Sequence, residues 1–153
     1  MKQLVSLTIN GDVTELAIEP GATLLQVLRD ELLLVGPKRG CDTGGCGCCT
    51  VLIDGFPRYS CMTYAQSVQG RAITTVEGLA SGGTVDAVQQ AFVDQGAVQC
   101  GYCSCGFIMA AEELLAHNDN PSEAEIRQAI AGNLCRCTGY QKIVKAIGAA
   151  AGG

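Results

Sequence analysis

Tryptophan is absent from this 153-residue chain, histidine occurs once, and Phe, Trp and Tyr together make up only 5% of it. One histidine excludes a Rieske-type iron centre, which takes two. His117 itself falls at the end of a predicted helix and reads as a surface or capping group. Positive charge is scarce as well: 10 Lys and Arg stand against 15 Asp and Glu, a net charge of −5. The deficit is spread over both halves, with six basic and eight acidic side chains in residues 1–78 and four and seven in 79–153. A nucleic-acid binder needs a basic footprint, and none is present. No apolar run is long enough to span a bilayer. The opening Met1-Lys2-Gln3-Leu4 leads into an alternating strand pattern without a signal core or twin arginines. A cytoplasmic protein without a membrane partner is the expectation. Disorder is excluded by a hydrophobic content of 48% and a mean hydropathy of +0.24, enough for one or two small domains.

Cysteine, by contrast, is abundant: 10 residues, five in each half. In a reducing compartment these are metal or redox-cofactor ligands before they are disulfides. Their surroundings differ between the halves. In the first, Val5, Leu7 and Ile9 alternate on one strand face, Asn10-Gly11 makes a hairpin turn, and Val13 to Ile18 returns. Thr23 and Gln26 form a capping box ahead of a helix expected to reach Leu34. A second hairpin turns at Asp54-Gly55, and Ala72 to Val76 is the expected closing strand. These elements predict a β-grasp domain over 1–78. Ser81-Gly82-Gly83 marks the boundary. Beyond it, Val85, Val88 and Phe92 fall at helical spacing, as do Ile108, Ala111 and Leu115. Ser122 and Glu125 cap a third helix, and Tyr140, Ile143, Val144 and Ile147 stripe a fourth, with a short Ala/Gly tail at 149–153 expected to fray. The prediction for 79–153 is a four-helix bundle, so the fold class is α+β.

The run Gly40-Cys41-Asp42-Thr43-Gly44-Gly45-Cys46-Gly47-Cys48-Cys49-Thr50 carries the first site. Cys41-x4-Cys46-x2-Cys49 with a distant Cys61 has the spacing of plant-type [2Fe–2S] ferredoxins. Glycines let the loop curl close around the inorganic sulfurs and turn its N–H groups toward them. Structural zinc, which prefers two short knuckles, fits this loop poorly. Cys48 is surplus; the x2 gap favours Cys49 as the ligand, although spacing leaves both thiols near the site. The second site joins Cys100-x2-Cys103 to Cys135-x-Cys137 across 31 residues. Each pair precedes a predicted helix, at about 104–117 and about 138–150, so two helix N-termini would face one anionic centre. Two short knuckles also suit zinc, and spacing alone leaves that alternative open here.

Three motifs extend beyond the cysteines: Gly40-Cys41-Asp42-x3-Cys46-Gly47-x-Cys49-Thr50-Val51, Gln99-Cys100-Gly101-Tyr102-Cys103, and Gly132-Asn133-Leu134-Cys135-Arg136-Cys137-Thr138-Gly139-Tyr140. Together they closely resemble the small iron–sulfur subunit of the xanthine oxidase family of molybdenum hydroxylases, over almost the whole chain. The resemblance implies two [2Fe–2S] clusters in this chain, and a molybdenum–pterin cofactor and FAD on a large and a medium partner subunit, in a heterotrimer or a dimer of heterotrimers. It implies that substrate is oxidised on the large subunit, with no catalytic residue here. Electrons would enter at Cys137 beside the pterin, with Gln99 hydrogen-bonding that cofactor, and pass from the second cluster to the first and on to FAD. Arg136 could contact the cofactor or balance cluster charge. In one place the chain departs from the family: Cys103-Ser104-Cys105-Gly106 stands where the family has Cys-Thr-Pro-Gly. Cys105 therefore replaces a proline suited to a helix's first turn, and Cys103 is kept as the ligand.

Overall fold

The structure is a computed structural model and describes residues 1–80 and 82–151. Ser81, in the expected boundary turn, and Gly152-Gly153 of the expected tail lie outside the described residues.

Alternating apolar residues build the sheet. Strands β1 (Gln3–Ile9) and β2 (Asp12–Ile18) pair antiparallel through a two-residue turn in which Asn10 and Gly11 take φ of 53° and 90°. Those left-handed values match the strands' twist, and Asn and Gly tolerate them best. Strands β3 (Thr50–Ile53) and β4 (Phe56–Tyr59) repeat the device at Asp54-Gly55. The closing strand β5 (Ala72–Thr74) lies between β1 and β3, parallel to the first and antiparallel to the second, giving the order β2-β1-β5-β3-β4. It is shorter than its apolar pattern predicted: Val76 starts a tight 3-10 turn instead.

Helix α1 (Leu24–Gln26) starts at the predicted capping box, with Thr23 Oγ1 accepting from Gln26 N–H and Gln26 Oε1 accepting from Thr23 N–H. It then widens into a π-turn over Val27–Glu31 and stops before Leu34, because Leu33 adopts a φ of 56°. Arg29 explains the early stop. Its guanidinium donates to the carbonyls of Val35 and Pro37, folding the chain back toward the cysteine loop. Leu24, Val27 and Leu28 fill one sheet face with Leu7, Val51 and Ile73.

The remaining chain forms four helices that share a second core: α2 (Ala87–Asp94), α3 (Ser104–His117), α4 (Glu123–Ala129) and α5 (Gln141–Ala151). Phe92, Phe107, Ile126, Ile143 and Ile147 are its fully enclosed centre. Truncating either phenylalanine to alanine removes buried surface and leaves a cavity, at a cost of about 3–5 kcal/mol. Helix α2 begins only after Val85, which is exposed. The cap is Asp86, whose carboxylate accepts from the N–H groups of Val88 and Gln89. Tyr140 likewise lies outside α5, held at a φ of 69° by its N–H bond to Thr138 Oγ1. The expected fraying is not seen at 149–151, where α5 continues.

The two cores meet at β3. All four of its residues are buried, because Val51 and Ile53 face the sheet core while α3 packs across the strand. A strand covered on both faces needs apolar residues at consecutive positions, and Val51-Leu52-Ile53 supplies them. This contact places the loop before β3 against the start of α3.

Candidate metal centres

The first cysteine loop enters from the turn fixed by Arg29 and leaves into β3. Asp42, Gly44 and Gly47 have positive φ, so the backbone reverses repeatedly and brings Cys41, Cys46 and Cys49 toward Cys61 at the end of β4. Leu25 of α1 packs against Cys49 and Cys61, sealing that side. Cys41 is exposed. Its sulfur receives the Thr43 N–H at 3.4 Å, and that bond, with help from the Thr43 hydroxyl, Cys46 and Gly45, brings the thiol down to about 6. Cys61 is pushed up to about 11, first by burial and then by Cys49 beside it, while the Gly44 N–H works the other way. Gly47, Cys48 and Cys49 are buried residues, and their N–H groups have no protein acceptor among the described residues. Unpaired donors in buried residues are rare and call for an acceptor.

The second set comes together from two loops, one leading into α3 and one leading toward α5. Cys100 and Cys137 are exposed with their sulfurs 3.6 Å apart. Cys103 is buried against Cys135, and burial followed by that neighbour pushes it up to about 12. Burial works to raise Cys135 too, but the Thr138 hydroxyl at 3.0 Å and its N–H at 3.4 Å bring it below its ordinary value. Tyr140 folds back so that its hydroxyl accepts the Cys135 N–H. Cys137 is raised by Cys100. All four line one cleft of about 220 Å³ with Gly40, Cys46, Cys48, Tyr102, Leu134 and Arg136. Arg136 is exposed on its rim, and Gln99 is exposed beside Cys100. Cys103 stands at the N-terminus of α3 as expected, whereas Cys137 is set back from α5 by Thr138-Gly139-Tyr140.

In both sets, then, the thiols are close enough to perturb one another: Cys61 and Cys103 are raised by burial and a neighbouring thiol and Cys137 by a neighbouring thiol, while hydrogen bonds bring Cys41 and Cys135 down. Among the described residues no three His, Cys, Asp or Glu side chains close around a point suited to a single ion. The residues present fit a two-iron, two-sulfide group: the donors are all thiols, and the first loop adds free N–H groups for sulfide. Cys48 is buried between the sets, raised to about 12 by burial and by Cys46, and Cys105 is raised by its own burial. The Cys105 thiol donates to the Cys48 carbonyl at 3.2 Å. Spacing marked Cys48 as surplus, and Cys105 stands where the family has a proline, but neither reading gave a sign that they meet.

A chain with two adjacent four-cysteine sites, one on a looped sheet and one among helices, is a two-cluster iron–sulfur protein. Residues 7–72 match the family model described as a 2Fe-2S iron-sulfur cluster binding domain, and residues 75–148 match that described as a [2Fe-2S] binding domain. The chain is 43% identical to the nicotinate dehydrogenase small FeS subunit of Eubacterium barkeri, over 95% of this chain and 93% of that one. It is 48% identical to the xanthine dehydrogenase iron-sulfur-binding subunit of Escherichia coli O157:H7, over 94% and 91%. Among solved structures it superposes on quinoline 2-oxidoreductase from Pseudomonas putida 86 with a TM-score of 0.95 and 44% identity, covering 99% of this chain and 94% of that one. The chain therefore belongs to the small iron–sulfur subunits of the xanthine oxidase family of molybdenum hydroxylases. It is the non-catalytic electron-transfer component of such an oxidoreductase, and its cofactors are two [2Fe–2S] clusters. No helix among the described residues is long and apolar enough to cross a membrane.

Proposed function

We propose that this chain relays single electrons from a molybdenum–pterin centre on a large subunit, through its two [2Fe–2S] clusters, to FAD on a medium subunit or to another acceptor. The observation that carries this reading is the join between the sites. The Leu134 N–H, one residue before Cys135, donates to the carbonyl of Cys46 at 2.9 Å. A single hydrogen bond and the covalent bonds of three residues therefore connect a thiol of one set with a thiol of the other. When bound, each cluster takes up one electron at a time, so a two-electron oxidation elsewhere is divided into single steps.

The chain's own residues supply placement. Cys41, Cys46, Cys49 and Cys61 hold one cluster in a β-grasp domain over 1–78. Cys100, Cys103, Cys135 and Cys137 hold the other in a four-helix bundle over 79–153. Cys137 and Gln99, both exposed, face the pterin-bearing partner. Around them Val98, Tyr102 and Leu134 are about half exposed, an apolar rim that suits a permanent subunit contact better than a free carrier's transient one. A cytoplasmic heterotrimer, or a dimer of heterotrimers, is the assembly this describes.

The test is isolation of the native protein without oxygen. About four irons and four sulfides per chain, two EPR signals on reduction, and co-purification with larger chains carrying molybdenum and flavin are expected. Two irons, zinc in place of iron, or a stable monomer that never co-purifies would overturn the reading.

A further inference from the structure

The helical half reaches into the first cluster loop at three successive peptide groups. Leu134 N–H donates to Cys46 O, Asn133 Nδ2 to Gly47 O at 3.0 Å, and Cys105 Sγ to Cys48 O. Two of these donors are side chains, Asn133 and Cys105, and both are buried at the join of the two halves, 5% and 7% exposed. Each of their target carbonyls is held from a second direction as well. Thr50 donates its N–H and hydroxyl to Gly47 O, and the Lys38 N–H donates to Cys48 O at 2.9 Å. A carbonyl held by one donor can swing, whereas one held by donors on separate elements has its peptide plane fixed.

A trans peptide is planar with its N–H opposite its C=O. Fixing the carbonyls of Cys46, Gly47 and Cys48 toward the helices therefore turns the N–H groups of Gly47, Cys48 and Cys49 the other way. These are the N–H groups without a protein acceptor. The backbones are in close contact here: a Cβ on Gly106 would sit 2.1 Å from Gly47 O and 2.8 Å from Asn133 Nδ2.

We propose that Asn133 and Cys105 are positioning residues for the first centre. From the helical half they lock the Gly47 and Cys48 carbonyls outward, so that the Cys48 and Cys49 N–H groups are presented to the sulfurs of the cluster held by the sheet half. N–H groups aimed at cluster sulfur stabilise the more negative, reduced state. The inference rests on the ligand assignment above, and it makes the reduction potential of one domain's cluster depend on the other domain.

An EPR-monitored redox titration of the full chain, isolated with the subunits it co-purifies with, tests this. In Asn133→Ala and Cys105→Ala the first centre should become about tenfold harder to reduce, about 59 mV more negative for a one-electron couple. Cys105→Ser keeps a donor and should stay close to the unsubstituted potential. Both residues lie two positions from a ligand of the second centre, so a merely structural role would move the second centre's potential rather than the first's. A first centre that does not shift in Cys105→Ala, or a second centre that shifts as far, overturns the proposal. Should Asn133→Ala fail to fold, the Cys105 pair of variants decides alone. Fewer than two centres in the unsubstituted protein would mean that the ligand reading itself is wrong; two intact, unmoved centres would sink only the positioning role.

Discussion

In the sheet half, three of the four proposed ligands, Cys41, Cys46 and Cys49, sit on one loop. In the helical half the proposed ligands arrive as two pairs on separate loops, and one edge, with Cys100 and Cys137, is exposed near the exposed apolar side chains Val98, Tyr102 and Leu134. The first loop is crowded with glycines and N–H to sulfur contacts, and its carbonyls are taken up from outside it by Leu134, Asn133 and Cys105. The second site's loop is held locally, by the Cys135 N–H on the Tyr140 hydroxyl and the Thr138 N–H on Cys135 sulfur, and one side of the site stays open. The first site is thus largely enclosed, with only Cys41 exposed among its four thiols, whereas the second leaves both Cys100 and Cys137 exposed.

The largest expected effect is loss of a whole cluster, and it separates the two sites. Cys103→Ser or Cys135→Ser should remove the second centre's EPR signal and about two irons while the first remains, because each site has its own four thiolates. Cys49→Ser should do the reverse. Cys48→Ser should keep both centres by iron count and EPR. If Cys48→Ser abolishes the first signal and Cys49→Ser does not, the ligand assignment in that loop is wrong.

Next in size is the place where the halves touch. Gly106→Ala puts a methyl group 2.1 Å from the Gly47 carbonyl, a backbone atom that cannot rotate away. Overpacking of this kind should cost about 3 kcal/mol or more. Gly55→Ala meets nothing within 4 Å but keeps a φ of 84°, so it should cost about 1 kcal/mol of conformational strain. Chemical denaturation of both variants checks the ranking. Equal losses would mean that the contact between the halves yields more readily than its geometry suggests.

Much of this was legible because it is local. The Asn10-Gly11 and Asp54-Gly55 turns and the Ser122–Glu125 capping box depend on residues a few positions apart, and they form as expected. Helix α3 spans Ser104–His117, as its apolar stripe predicted. The Asp86–Gln89 capping box was equally readable but was obscured by Val85, which extends the apolar spacing past the true helix start. Leu33 and Tyr140 look helical by pattern, yet Arg29 and Thr138 fix the neighbouring backbone otherwise. The join of Asn133 and Cys105 to the first loop spans 86 and 57 residues, and no local pattern announces it. Spacing and resemblance proposed the two thiol sets but gave no sign of the contact between their loops.

A milder effect should come from the Ser122 cap on α4, far from both sites. Ser122 Oγ accepts the Glu125 N–H at 3.3 Å and the Glu125 carboxylate accepts the Ser122 N–H at 2.7 Å. Ser122→Ala should cost about 1 kcal/mol in thermal unfolding and leave both centres' potentials unchanged. A shift in the second centre's potential would show that α4 is coupled to it more tightly than the packing indicates.

A last effect, which shows only when the pH is varied, concerns one carboxyl in the helical core. Glu112 on α3 has a buried Oε1 without a hydrogen-bond partner, and burial, then Asp86 at the start of α2, raise it from an ordinary 4.5 to about 8. The folded chain thus holds a proton on Glu112 that the unfolded chain releases between those values. Stability must therefore fall as pH rises from about 4.5 toward about 8, the opposite of the usual carboxylate behaviour. Glu112→Gln, which is neutral at every pH and similar in shape, should unfold at a higher temperature than the unsubstituted chain at pH 8, with the difference fading toward pH 5. The clusters should be loaded in both proteins, so that metal loss does not mask the comparison. A Glu112→Gln variant that unfolds at a lower temperature than the unsubstituted chain at pH 8 would show that Glu112 is ionised in the folded state.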